Sequence, residues 1–246
     1  MAEGEYVWLF ADDDVIMDGA LQYLEQFISL NPNIDYIYFP RILVDMNLKQ
    51  VTGDTQPSGI SENMLFLNGK ELFSALDGQM PGIMAYLSST IIRRDLWEKY
   101  CTRLGEPYGG FHHFRVILMA IGEKKCAVLG QPGVLCRLEN SKEKSSRVWF
   151  DETIGVLQFA KELGYDSNLC DKNIQIAIES FSKMFVVNKA SGQRDDNIFS
   201  AGKKLGVSNL LIKRQPWYLL SFMPSKLLNP MMRLYFLFRA LFRTVI

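Results

Sequence analysis

Asp12, Asp13 and Asp14 stand in a row at the end of the apolar run Tyr6-Val7-Trp8-Leu9-Phe10. Five large apolar residues, most of them aromatic or β-branched, suit a strand buried on both faces, as in a parallel sheet. Three carboxylates then mark the point where that strand leaves the sheet, which is where open α/β folds collect ligands. Like charges crowded there repel unless something positive sits among them, and a divalent cation carrying phosphates meets that need. The competing reading is a solvated turn or a helix cap, since aspartate is common in both. Asp18, followed by Gly19 and the helical spacing of Leu21, Leu24, Phe27 and Ile28, is the better cap, and three acids in a row exceed what capping needs.

The elements that must hold these carboxylates alternate between strand and helix over roughly the first 150 residues. A helix over 18–30 stops at Asn31-Pro32-Asn33, and a strand over Asp35-Tyr36-Ile37-Tyr38-Phe39 closes at Pro40. Residues 45–63, polar and carrying Gly53, Pro57 and Gly59, read as a long excursion. A short helix from Asn68-Gly69-Lys70 to Leu76, the apolar stretch Met84–Ile92 and a helix from Arg93 follow. Gly105–Gly110 is rich in turn residues and precedes a helix over Phe111–Ile121. Short strands are expected at Cys126–Leu129 and Val134–Leu138, then a charged loop over Glu139–Arg147. From Trp149 the period becomes helical: Trp149, Thr153, Val156, Ala160 and Leu163 share a stripe that Gly164 closes. Residues 173–188 repeat the style. The expectation is an α/β domain over 1–148 and a helical region over 149–246 with a basic amphipathic tail.

A chain of 246 residues, 48% hydrophobic and 12% aromatic, can bury a core and is not a disordered polymer. Cys101, Cys126, Cys136 and Cys170 lack a Cys-x-x-Cys pair and companion histidines at zinc spacing, which fits buried reduced thiols in a cytosolic protein. Met1-Ala2-Glu3-Gly4-Glu5 has no signal-peptide character. The zero net charge hides an asymmetry. All 27 acidic residues lie at or before Asp196, whereas Lys203, Lys204, Lys213, Arg214, Lys226, Arg233, Arg239 and Arg243 lie beyond it. Such a tail suits an anionic partner: a membrane surface, a nucleic acid or the protein's own acidic face. In 216–246, Pro224 and Pro230 break the apolar run, and the three arginines beyond Met231 argue against a spanning helix. An interfacial helix on a membrane surface fits better and is preferred over nucleic acid; the alternative is a helix docked on the protein's own core.

With these residues in place, the chain resembles a family 2 glycosyltransferase of the GT-A fold, closest to the abequosyltransferase-like sugar transferases of bacterial surface-polysaccharide synthesis. Residues 2–14 resemble the stretch entering that family's DXD-type motif, and Met17-Asp18-Gly19-Ala20-Leu21 its continuation into a helix. Leu87-Ser88-Ser89-Thr90-Ile91-Ile92-Arg93-Arg94 looks like the segment behind the acceptor site. Gly109-Gly110-Phe111 resembles a family turn, and Arg137-Leu138-Glu139-Asn140-Ser141 a late strand-to-loop motif. The similarity covers roughly residues 2 to 160. It implies a partial GT-A mixed sheet, a nucleotide-sugar donor, Mn2+ or Mg2+, and a glycan or lipid-linked hydroxyl acceptor. Carried over by position, Asp12 lies near the donor ribose, Asp13 binds the metal bridging the diphosphate, and Asp14 supports that site or shares the ligation. Carboxylate oxygens suit these cations, which neutralise the charge developing on the departing diphosphate.

The family places several β/α units, carrying the base-binding pocket, before this motif, whereas here the motif begins at residue 12. The expectation is a truncated product, a fragment of a split frame or the partner of a separately encoded half, with an apolar sheet edge left open. Inverting members also place an acidic base just after the Gly-Gly-Phe turn. Here His112-His113 follows, with Glu106 just before. Histidine can take a hydroxyl proton at neutral pH, so His113, then Glu106, then His112 are the candidate bases; the alternative is one packed and one solvated histidine. Two rival readings stand beside this one. Leu9–Val15 also fits the Asp-x-Asp opening of haloacid-dehalogenase-like phosphatases, with Asp12 as nucleophile and Asp14 as acid/base. That reading needs a later acidic pair after a strand, and only Asp195-Asp196 is on offer, in a polar loop. The other rival is a non-enzymatic remnant serving as an interaction module.

Overall fold

The structure is a computed structural model, and it describes residues 3–45, 47–57, 60–76, 86–105, 111–137, 146–190 and 227–232. The chain divides into two compact units, residues 1–142 with 156–173, and residues 143–155 with 174–246.

The first unit is mixed α/β. Strands β1 (Tyr6–Leu9), β7 (Thr90–Arg93), β3 (Tyr36–Tyr38), β8 (Cys126–Val128) and β6 (Met64–Phe66) form a five-stranded sheet in that order. A second, four-stranded sheet orders β2 (Val15–Ile16), β9 (Val134–Arg137), β4 (Arg41–Val44) and β5 (Gln50–Gln56). In the first sheet β7 runs antiparallel to both β1 and β3, and β3 runs parallel to β8. Strands β1, β3 and β8 therefore point the same way. Each of the three leaves the first sheet and enters the second within a few residues, becoming β2, β4 and β9. The aspartates occupy the first of these three crossings.

Alternation along the strands sorts the core into two faces. Ile37, Ile91 and Ala127 lie in register and join Phe39, Leu129, Ile34 and the buried face of α1 (Ala20–Leu30), namely Ala20, Leu24 and Phe27. Tyr36, Ile92 and Cys126 point the other way and are also fully buried. Helices α2 (Gly69–Ala75), α3 (Arg94–Leu104) and α4 (His112–Ile121) pack on strands or on one another, so helices cover both faces.

Several expectations shift. Strand β1 is not a central strand of a parallel sheet: it stands at the sheet edge, antiparallel to its neighbour, and all four residues are half-buried. Helix α1 starts at Ala20 rather than at an Asp18 cap. Gly19 is the N-cap residue, with φ 76°, a left-handed conformation that a residue without a Cβ adopts at little cost. The excursion after β4 is partly a strand, since β5 pairs back on β4 through a turn in which Asp45 Oδ1 accepts the N–H groups of Asn47 and Lys49. Helices α2, α3 and α4 and strands β3, β8 and β9 fall within a few residues of their expected places, β7 lies in the apolar stretch Met84–Ile92 and extends to Arg93, and β2, β4 and β6 stand where no strand is expected from the sequence.

Helices α5 (Ser146–Glu162) and α6 (Ser167–Ala190) each contribute to both units. Gly164 follows α5 with φ 79°, as expected of a helix-closing glycine. The described residues of the second unit are all helical, and there Phe150 and Phe181 meet edge to face. Of segment 216–246 the structure describes residues 227–232, a helical stretch. Among the described residues no helix is long and apolar enough to cross a membrane.

Candidate functional site

Strand β1 delivers the chain to the carboxyl end of the sheet, and Phe10–Asp14 makes the crossing. Asp12 is exposed, Asp13 half-buried and Asp14 buried, so three identical side chains meet three different environments. Asp14 turns into the protein. Its Oδ1 accepts from the Tyr86 hydroxyl at 2.9 Å and from the Arg137 N–H at 3.3 Å; its Oδ2 accepts from Tyr86 at 2.9 Å and from the Ser88 hydroxyl at 2.5 Å. These donors come from the 3-10 turn Leu87–Ser89, the residue before it, and the end of β9. Asp14 thus ties β1 to segments more than 70 residues away.

Tyr86 stands at the middle of this network. The Cys136 thiol donates to its hydroxyl, which in turn donates to Asp14. Burial pushes the Tyr86 phenol well above its usual range, and Cys136 and Asp14 push it further. Burial likewise raises the Cys136 thiol. Both groups therefore keep their protons and serve as donors. Arg41, buried at the start of β4, lies over the Tyr86 ring and donates to the Tyr38 hydroxyl at 2.6 Å.

The three crossings are held together by main-chain bonds: Met17 N–H to the Gly133 carbonyl and Gly133 N–H to the Pro40 carbonyl, each at 2.9 Å. Gly133 rides on Phe39 so closely that a Cβ there would come within 2.2 Å of the ring. A glycine at this point lets the crossing behind β8 press against the one behind β3.

The other sequence-predicted residues lie elsewhere. His112 and His113 open α4, both half-buried, with His113 edge-on to Phe111 at 6.3 Å between ring centroids. A four-residue connection joins α4 to β8. The hydrogen bonds of Asp14 lead to Tyr86, Ser88 and β9, whereas α4 packs on α2 and α3. Glu106, Gly109-Gly110, Leu138–Ser141 and Asp195-Asp196 lie outside the described residues.

Among the described residues no group of three or more His, Cys, Asp or Glu side chains gathers as a cation cage. The donor chemistry still suits a hard cation. Asp12 is exposed and Asp13 half-buried at the crossing, and Mg2+-type sites use one or two carboxylates, with substrate phosphates and water completing the shell. Asp14 fits a supporting place, because internal donors occupy both its oxygens. A cavity of about 310 Å3, lined by Leu30–Ile34, Leu65–Leu67 and Lys125, opens at the opposite, amino-terminal ends of β3 and β8. It is unrelated to the aspartates.

Tyr86 and Arg41 are not among the residues that the sequence singles out, and Ser88 stands out there only as part of a longer segment. A tyrosine near a serine pair is an unremarkable string until the fold brings it to Asp14. No family model matches the chain. It is similar to abequosyltransferase RfbV of Salmonella typhimurium, 21% identical over 179 residues, covering 69% of this chain and 53% of the relative. The chain thus spans about half the length of the curated relative it matches.

Proposed function

We propose that this chain belongs to an enzyme that transfers a sugar from a nucleotide-diphosphate donor to a hydroxyl on a glycan or lipid-linked acceptor, in the synthesis of a surface polysaccharide. One observation carries the reading: the aspartate crossing lies at the common carboxyl end of β1, β3 and β8, with Asp14 locked inward, Asp13 half-buried and Asp12 exposed. The similarity to a glycosyltransferase supports it. In this reading Asp12 faces the donor ribose and Asp13 holds Mn2+ or Mg2+. Such a cation supplies Lewis-acid stabilisation of the departing diphosphate. Asp14 orients the crossing rather than binding the cation itself. His113 is the first candidate to take the acceptor hydroxyl proton, with Glu106 and His112 behind it. The basic segment 216–246 is assigned peripheral contact with a membrane surface that presents the acceptor.

Calorimetric titration with UDP- and GDP-sugars, with and without MnCl2, tests this. The expected result is cation-dependent binding that Asp13→Ala abolishes. Absence of binding at millimolar donor rules out activity for this chain by itself, and turnover of a generic phosphate ester would move the reading to a phosphatase.

A further inference from the structure

The Phe10–Asp14 crossing presents a physical difficulty, because adjacent carboxylates repel and push a short loop apart. A single buried side chain counters this. The Ser88 hydroxyl accepts the Ala11 N–H at 3.0 Å and donates to Asp14 Oδ2 at 2.5 Å, so one oxygen grips the residues on either side of Asp12-Asp13. The Ser88 carbonyl accepts the Trp8 indole N–H at 2.8 Å, which fixes the same turn to the strand that leads in. Ser88 is 0% exposed, so water has no access with which to replace its hydroxyl. Ser89, equally buried, serves a different strand: its carbonyl accepts the Phe39 N–H at 2.8 Å.

We infer that Ser88 is the positioning residue of the aspartate crossing, holding Asp12 and Asp13 in the arrangement that receives a cation-bound diphosphate. The inference rests on the donor-site reading above. Ser88 touches neither sugar nor phosphate in this role and acts through Ala11 and Asp14.

The test compares the full chain with Ser88→Ala, Ser89→Ala, Ser88→Thr and Asp13→Ala by two measurements: amide hydrogen exchange at Ala11, and calorimetric titration with MnCl2 plus UDP or GDP. In Ser88→Ala the Ala11 amide is expected to lose protection and nucleotide binding to weaken about tenfold, the scale of one lost hydrogen bond. Ser89→Ala is expected to leave both at the unmodified level, and Ser88→Thr, which keeps the hydroxyl, to restore both. If Ser88→Ala does not fold, Ser88→Cys, close in size and a weak donor, carries the same expectations. Unchanged affinity in Ser88→Ala, alongside binding abolished in Asp13→Ala, overturns the inference and leaves the donor site standing. A loss in Ser89→Ala equal to that in Ser88→Ala also overturns it, since the effect is then general destabilisation. Absence of Mn2+-dependent binding in the unmodified chain overturns the donor-site reading and the inference with it, while Ala11 exchange still reports whether the hydroxyl holds the turn.

Discussion

The guanidinium carbon of Arg41 lies 4.1 Å from the centre of the Tyr86 ring, with both residues linked into the network behind the aspartates. Arg41 is only 6% exposed, so the ring face and the Tyr38 hydroxyl replace part of its lost hydration. Lysine concentrates its charge on one nitrogen and cannot lie flat on a ring while donating sideways. Arg41→Lys is expected to cost about 1–2 kcal/mol. Urea denaturation measures this, and an unchanged midpoint would mean the stacking contributes nothing to stability.

The aspartates should separate by environment although their sequence context is shared. Asp14→Ala strands the hydroxyls of half-buried Tyr86 and buried Ser88 and the Arg137 N–H, at an expected cost of about 2–4 kcal/mol. Asp12→Ala, at an exposed position, should stay within about 0.5 kcal/mol of the parent. Thermal and chemical denaturation of the two variants side by side checks this, and equal costs would contradict the inward placement of Asp14.

Gly69 offers a case where helix propensity and packing disagree in sign. Gly69 opens α2, where propensity favours alanine by up to about 1 kcal/mol. A Cβ there would lie 2.4 Å from Ile121 Cγ1 and 2.6 Å from the Ile121 carbonyl oxygen, and a backbone atom cannot turn aside. Gly69→Ala is therefore expected to destabilise by about 1–3 kcal/mol. A rise in melting temperature would show that α2 is free to move off the end of α4.

Stability should fall on the alkaline side. Burial pushes the Cys170 thiol up to about 11 from an ordinary 9.0, against a smaller lowering by Lys161. Between those two values the unfolded chain has released the proton that the folded chain keeps. The unfolded state then binds fewer protons, and stability drops as pH rises through the window. The raised Tyr36, Tyr38 and Tyr165 phenols add to the trend above pH 10. Cys170→Ala should flatten the fall between pH 9 and 11 in denaturation midpoints taken across that range. An identical slope would place the alkaline sensitivity in other groups.

Legibility in the sequence followed the range of the interaction. Helix α1 and its stop at Asn31-Pro32, strand β3 before Pro40, and strands β8 and β9 are written in local periodicity and in residues that end elements. The partner of β1 is β7, about eighty residues away, and nothing in Tyr6-Val7-Trp8-Leu9 states whether that partner runs parallel or sits on one side only. A half-buried edge strand and a fully buried one can carry the same apolar letters. The Gly19 cap is hidden in the sequence because Asp18 has the more usual capping side chain, whereas the backbone turns through a positive φ one residue later.

Residue type and spacing are local properties, and they suffice to set three carboxylates after a strand with α/β material around them. Only the tertiary structure divided the three. It buried Asp14 among donors from Tyr86, Ser88 and Arg137 and left Asp12 exposed. That division depends on which distant segments bring hydrogen-bond donors to the end of β1, and a carboxylate can leave water only where such donors replace its hydration.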